Sequence, residues 1–75
     1  MIKNLKEISE ILDISSVKIK KIKKDININN FKWDSLAFIN LITIYNSKFK
    51  KNLDMKKIIK IKSIFELDRL LDKPK

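Results

Sequence analysis

The chain has no cysteine, no histidine and no glycine, and only one proline, Pro74. Each absence removes a class of function or a source of stability. Without cysteine there is no disulfide to staple a short domain and no thiolate to hold zinc. Without histidine, no Ser-His-Asp or Cys-His constellation can be assembled, and no His-based metal site either. Without glycine there is no phosphate-cradling loop of the P-loop or dinucleotide type. No catalytic residue and no metal ligand is therefore assigned, and chemistry at this protein is expected to be carried out by another one. Long hydrophobic runs are also missing. The longest nearly apolar stretch covers residues 36–45, about half the length that spans a bilayer. Residues 1–13 alternate charged and apolar side chains, unlike the continuous apolar core of a signal peptide. A cytoplasmic protein without a transmembrane segment is expected.

What is present fits one small helical domain over residues 1–75. A domain of this size buries only about 60% of the surface that its unfolded chain exposes. Apolar packing must supply its stability, and 44% hydrophobic content allows that. The formal net charge is +9, which attracts polyanions. However, Lys (17), Ile (15) and Asn (7) make up 39 of the 75 residues. All three have AT-rich codons, so a coding bias raises lysine without selection for a polyanion. Aromatic side chains are not interleaved with the lysine clusters, as a stacking platform for bases requires.

Along the chain, Ile2, Leu5, Ile8, Ile11 and Leu12 follow helical spacing. Asn4 with Glu7 makes a capping box at the start of a helix running to Asp13. Residues 14–33 read as a long ordered loop. Within it Ser15 and Ser16 mark a stop or restart, Ile19 and Ile22 can seat one helical turn, and Ile26, Ile28 and Phe31 pin the rest. A strand of alternating Ile and Asn at residues 25–30 has nothing to pair with. Asp34 caps the strongest helix, from Ser35 to Lys48 or Phe49, which is apolar over most of its circumference. Such a helix is central in a bundle, shows apolar surface to a partner, or both. Asp54 caps a short helix with Met55, Ile58 and Ile59. Ser63 with Glu66 caps the last one, with Ile64, Leu67, Leu70 and Leu71 on one side, and Pro74 stops it. Tyr45, Phe49 and Phe65 read as core.

The informative junction is Trp33, Asp34, Ser35 and Leu36. A serine directly after an N-cap aspartate projects from the first turn, where N–H groups and positive potential suit a phosphate. Asp-Ser alone also serves simple capping. The wider stretch DSLAFINLITIYNSKFKKNLDMKKIIKIKSIFELDRLL, residues 34–71, resembles the acyl carrier protein family without a gap. Ser35 matches the family's phosphopantetheine-bearing serine. Leu36, Leu41 and Phe49 match apolar positions on its second helix, Leu53, Ile58 and Ile61 those around the third, and Ile64 and Leu71 those of the fourth. The part before Phe31 fits with about one residue of gap.

The resemblance implies an all-α, four-helix acyl-carrier-like bundle: three main helices, a short third helix, and a long loop between the first two. It implies that a phosphopantetheinyl transferase, using coenzyme A and magnesium, attaches 4′-phosphopantetheine to Ser35, with Asp34 and Leu36 completing the motif. An acyl- or aminoacyl-loading ligase and an acceptor transferase or synthase would be the other partners, and a monomer is expected. The second helix is the family's recognition surface, which singles out Phe38, Ile39 and Ile42, with Trp33 beside them. Trp33 can seat the arm or a partner, or pack the loop on that helix; Phe38 can meet a partner or pack the core. The cluster at residues 18–24 can meet an acidic partner or a membrane surface, or be a solvated face.

This chain departs from fatty-acid carriers in its basic charge, in Lys32 and Trp33 before the motif, and in Ala37, Asn40, Asn46, Ser47 and Lys48 on a helix usually rich in acids. It looks more like standalone carriers of specialised pathways. The alternative is a small basic helical domain that binds nucleic acid. It lacks a polar recognition helix, so no nucleic-acid partner is expected.

Overall fold

The computed structural model describes residues 1–72. Helices α1 (Leu5–Leu12), α2 (Ser16–Lys20), α3 (Ser35–Phe49), α4 (Met55–Ile59) and α5 (Ile64–Asp72) follow in order, with a 3-10 turn at Ile28–Asn30 between α2 and α3. The class is all-α; no strand occurs among the described residues. Pro74, expected to stop the last helix, lies outside them.

Helix α1 buries Ile8, Ile11 and Leu12, the spacing that places side chains on one face. It ends at Asp13 in the left-handed region, φ 53° and ψ 51°, and α3 ends the same way at Lys50, φ 58° and ψ 33°. Glycine is the usual residue there. This chain has none, so an aspartate and a lysine take the strain.

Between α1 and α3 the expected loop is not all loop. The Ser15 hydroxyl accepts from the Val17 N–H at 3.2 Å and starts α2, which drives Ile19 completely into the core. The turn anticipated at Ile19 is thus a five-residue helix, too short to show a period in sequence. The 3-10 turn follows, its Asn27 side chain accepting from the Asn29 N–H at 2.8 Å while Ile28 is buried. A pairing partner for this segment does exist. The Ile28 N–H donates to the Lys62 carbonyl at 2.8 Å and the Ile64 N–H to the Ile26 carbonyl at 2.9 Å, around an antiparallel Asn27–Ser63 bridge. One bridge has no alternation to betray it.

The same junction caps α5. Its Glu66 N–H donates to the Ser63 hydroxyl at 3.2 Å, and its Phe65 N–H to Asp25 at 3.0 Å. The Glu66 carboxylate reaches the Lys62 N–H, one residue earlier than a capping box has it. Slight desolvation pushes the Asp25 carboxyl up. Its bonds to the Phe65 N–H, the Ser63 hydroxyl and the Ile26 N–H, with the Arg69 guanidinium nearby, outweigh that and hold it below the ordinary aspartate value.

At the other end of the chain the capping box expected of Asn4 and Glu7 does not form. Asn4 makes no side-chain cap and is buried instead. Its amide donates to Asp68 Oδ1 at 2.9 Å, to the Asp68 carbonyl at 3.1 Å and to Asp72 at 3.0 Å. Lys48 Nζ donates to Asn4 Oδ1 at 2.9 Å and stands 4.0 Å from Glu7. Asp68, on α5, is buried and also accepts the N–H groups of Lys3 and Asn4. A buried amide with four partners is worth more than one first-turn bond, so tertiary structure overrides the local cap.

Helix α3 packs against α1 and buries Ala37, Leu41 and Tyr45. Ile58, Ile64, Leu67 and Leu71 belong to the same core cluster and are inaccessible. Phe49 and Phe65, expected in the core, are half-buried at its margin; Phe49 packs edge-on to Tyr45 with ring centroids 4.9 Å apart.

Candidate functional site

The site is the N-terminal end of α3. Asp34 is extended, φ −132° and ψ −173°, and its carboxylate accepts from the Ala37 N–H at 3.1 Å. That bond fixes the first turn and leaves Ser35, the first helical residue, exposed. The Ser35 hydroxyl therefore faces solvent at the positive end of a fifteen-residue helix. Leu36 beside it is 56% exposed and Ile39, one turn on, 59%. Large apolar side chains left this open on one helix end are more than capping needs.

The residues singled out from the sequence divide in two. Ser35, Asp34, Leu36 and Ile39 share the open end of α3. Trp33, Phe38 and Ile42 are half-buried against the core. Trp33 packs edge-on to Phe38, centroids 4.9 Å apart and planes at 75°, and so ties the incoming loop to α3. Both rings also line a cleft of about 430 Å³ whose far wall is Ile59 and Ile61, with Asn27, Asn29 and Lys62 at its polar edge.

Sequence reasoning missed the contribution of α4. Asp54 accepts from the Lys56 N–H at 2.9 Å and starts the helix, which buries Ile58 and turns Met55 (49% exposed) and Ile59 (65%) outward. Their four-residue spacing placed them on one face, and a five-residue helix with one buried position left that face outside. Beyond Ile61 lies a second cleft, about 410 Å³, lined by Lys57, Lys60, Arg69, Glu66 and Leu70. Among the described residues no cluster of acidic side chains is placed to hold a metal ion, and no helix is long and apolar enough to cross a membrane.

No family model matches the chain, and neither a curated protein nor a solved structure does. The case for function rests on the residues themselves.

Proposed function

We propose that this chain is a carrier of acyl or aminoacyl groups, held as thioesters on 4′-phosphopantetheine attached to Ser35. In the loading step the Ser35 Oγ attacks the phosphorus that bears the pantetheine half of coenzyme A. The bond to the bridging pyrophosphate oxygen breaks, adenosine 3′,5′-bisphosphate leaves, and a phosphodiester to serine remains. The hydroxyl proton goes to a base on the transferase, because no histidine is present here to take it.

One observation carries the reading: an exposed serine is the first residue of the longest helix, fixed by the capping Asp34 and flanked by the open side chains of Leu36 and Ile39. The phosphate would sit where the helix N-terminus favours negative charge. The arm's thiol would supply the nucleophile that a chain without cysteine lacks. The fold class agrees with a carrier-like bundle whose first loop carries an added short helix, α2. The cleft lined by Trp33, Phe38 and Ile59 would offer such an arm apolar side chains to lie against.

The nucleic-acid alternative has less support. Trp33 and Phe38 pack on each other rather than standing free for bases to stack on, and the exposed Leu36 and Ile39 at the start of α3 offer apolar side chains where base edges need donors.

The test is the intact mass of the protein after incubation with coenzyme A, magnesium and a broad-specificity phosphopantetheinyl transferase, beside Ser35→Ala. A gain of one phosphopantetheine, absent from the variant, is expected. No gain with any of several transferases overturns the reading, and a gain in the variant overturns the site.

A further inference from the structure

The clefts of this chain differ in how their charges are balanced. The one between α1 and α3, about 390 Å³, sets Lys6 and Lys48 against Glu7 and Glu10. Lys48 is already engaged there with Asn4 and Glu7. The cleft of about 410 Å³ between α4 and α5 holds three cations, Lys57, Lys60 and Arg69, against one carboxylate, Glu66. Lys60 keeps helical backbone angles at the end of α4, so it follows Lys57 by one turn on the same side. Glu66 and Arg69 stand in the same relation on α5. Each helix thus gives one charged edge to the space, over a floor of the buried Ile61 and Leu70.

The neighbouring acids are held by backbone donors rather than by these cations. Glu66 Oε2 accepts from the Lys62 N–H at 3.3 Å. Asp25, whose charge Arg69 lies near, accepts from the N–H groups of Ile26 and Phe65. Among the described residues, Lys57, Lys60 and Arg69 form no ion pair within 4.0 Å.

We infer that this cleft binds a small phosphate ester of a polyhydroxyl compound, a sugar phosphate or a mononucleotide. The phosphate meets Lys57, Lys60 and the Arg69 guanidinium, whose planar fork matches two phosphate oxygens at once. A sugar hydroxyl donates to Glu66, whose Oε1 has no partner among the described residues. The carbon skeleton covers Ile61 and Leu70. The volume lies at the small end of ligand clefts, which suits one phosphate with one sugar or nucleoside. A bare anion fits less well, because it faces the Glu66 carboxylate with no donor between them. None of the four charged residues belongs to the Ser35 junction, so the inference stands without the carrier reading.

The experiment is a titration of the full-length, isotope-labelled chain at fixed ionic strength with ribose 5-phosphate, adenosine monophosphate, inorganic phosphate and ribose. Saturable shift changes at residues 57–61 and 66–70 are expected from at least one ester, with a Kd of about 1 mM or tighter. Saturation by ribose 5-phosphate alone narrows the ligand to sugar phosphates, and by adenosine monophosphate alone to nucleotides. Inorganic phosphate should bind about fivefold more weakly, and ribose should leave these residues unmoved. Lys57→Gln and Lys60→Gln should each weaken the ester about fivefold, and Arg69→Gln about tenfold. Glu66→Ala should erase the advantage of the ester over inorganic phosphate. Lys57, Lys60 and Arg69 are exposed, so melting curves should show the fold retained. Ser35→Ala should bind the ester unchanged, which keeps this result separate from loading at Ser35. Shifts centred on the lysines of residues 18–24, inorganic phosphate binding as tightly as the esters, ester binding undiminished in Arg69→Gln, or no saturation by either ester would each overturn the inference.

Discussion

Replacing Asp68 by alanine tests the least obvious feature of the fold, the polar tie between the N-terminal segment and α5. The carboxylate is 5% exposed and accepts three donors: the Lys3 N–H at 3.0 Å, the Asn4 N–H at 2.9 Å and the Asn4 amide at 2.9 Å. A hydrogen bond to a charged group contributes roughly 1.5–3 kcal/mol, and a buried donor left unmatched costs about 1–3 kcal/mol. The Lys3 N–H can turn to water, whereas Asn4 is buried and cannot, so the loss is about 3–5 kcal/mol. A domain of this length has on the order of 4–11 kcal/mol in total. Urea unfolding followed by circular dichroism should therefore move to a much lower midpoint, and Tm should fall by about 12 °C or more. Asp68→Asn keeps one acceptor and should recover part of the loss. A Tm within a few degrees of wild type in Asp68→Ala would refute the account of the tie.

Four further outcomes follow from the same structure. Leu41→Ala, at a position with no exposure, should cost about 2–5 kcal/mol in urea unfolding. Phe49→Ala should cost less than the roughly 3–5 kcal/mol of a fully buried phenylalanine, because Phe49 is half-buried; a loss equal to that of Leu41→Ala would put it in the core after all. Lys50→Gly should raise stability by about 0.5–1 kcal/mol, since φ is 58° there and glycine adopts that region without a Cβ clash; a drop in Tm would contradict the cap geometry. The Asp25 carboxyl is held below its ordinary value, so its contribution is present above the unfolded-state pKa and lost as pH falls through the folded one. Melting curves below about pH 4 should accordingly show a smaller acid-induced loss in Asp25→Asn than in wild type.

The helices were legible where one face is long enough to repeat. Ile8, Ile11 and Leu12, and later Ile64, Leu67 and Leu71, announce α1 and α5 by spacing, and Asp34 and Asp54 announce the starts of α3 and α4. What escaped the sequence depends on partners far along the chain. Asn4 looks like a cap because asparagine before a helical period usually is one. Asp68, sixty-four positions later, claims it. Ile26 and Ile28 look unpaired until the residues around Ser63 come alongside. At the candidate site the division is similar. Ser35 and its capping Asp34 were readable as a local motif. Whether Phe38 faced inward or outward was not, since an apolar helix gives no direction of its own; the Trp33 ring and the core decide it. The exposed side of α4 was hidden for the opposite reason, because Met55 and Ile59 keep the spacing of core residues and yet point away.

The basic charge can then be separated into background and site. A coding bias that raises lysine would raise asparagine and isoleucine alongside it, as the composition shows. It does not account for where acids are missing, because aspartate and glutamate codons are not disfavoured by the same bias. The chain has nine acidic residues, yet none falls in the fifteen residues of α3 or the five of α4. Residues 14–24 hold no acid either, whereas Asp13 pairs with Lys32 at 3.6 Å and Glu7 stands by Lys48. On the cluster at residues 18–24 the lysines surround one buried isoleucine, Ile19, which is what a solvated face requires. On α4 they surround two open ones. Asp34 stands next to Ser35 with its carboxylate engaged as the N-cap of α3, so the surface beside that serine owes its character to the open side chains of Leu36 and Ile39 rather than to a missing acid.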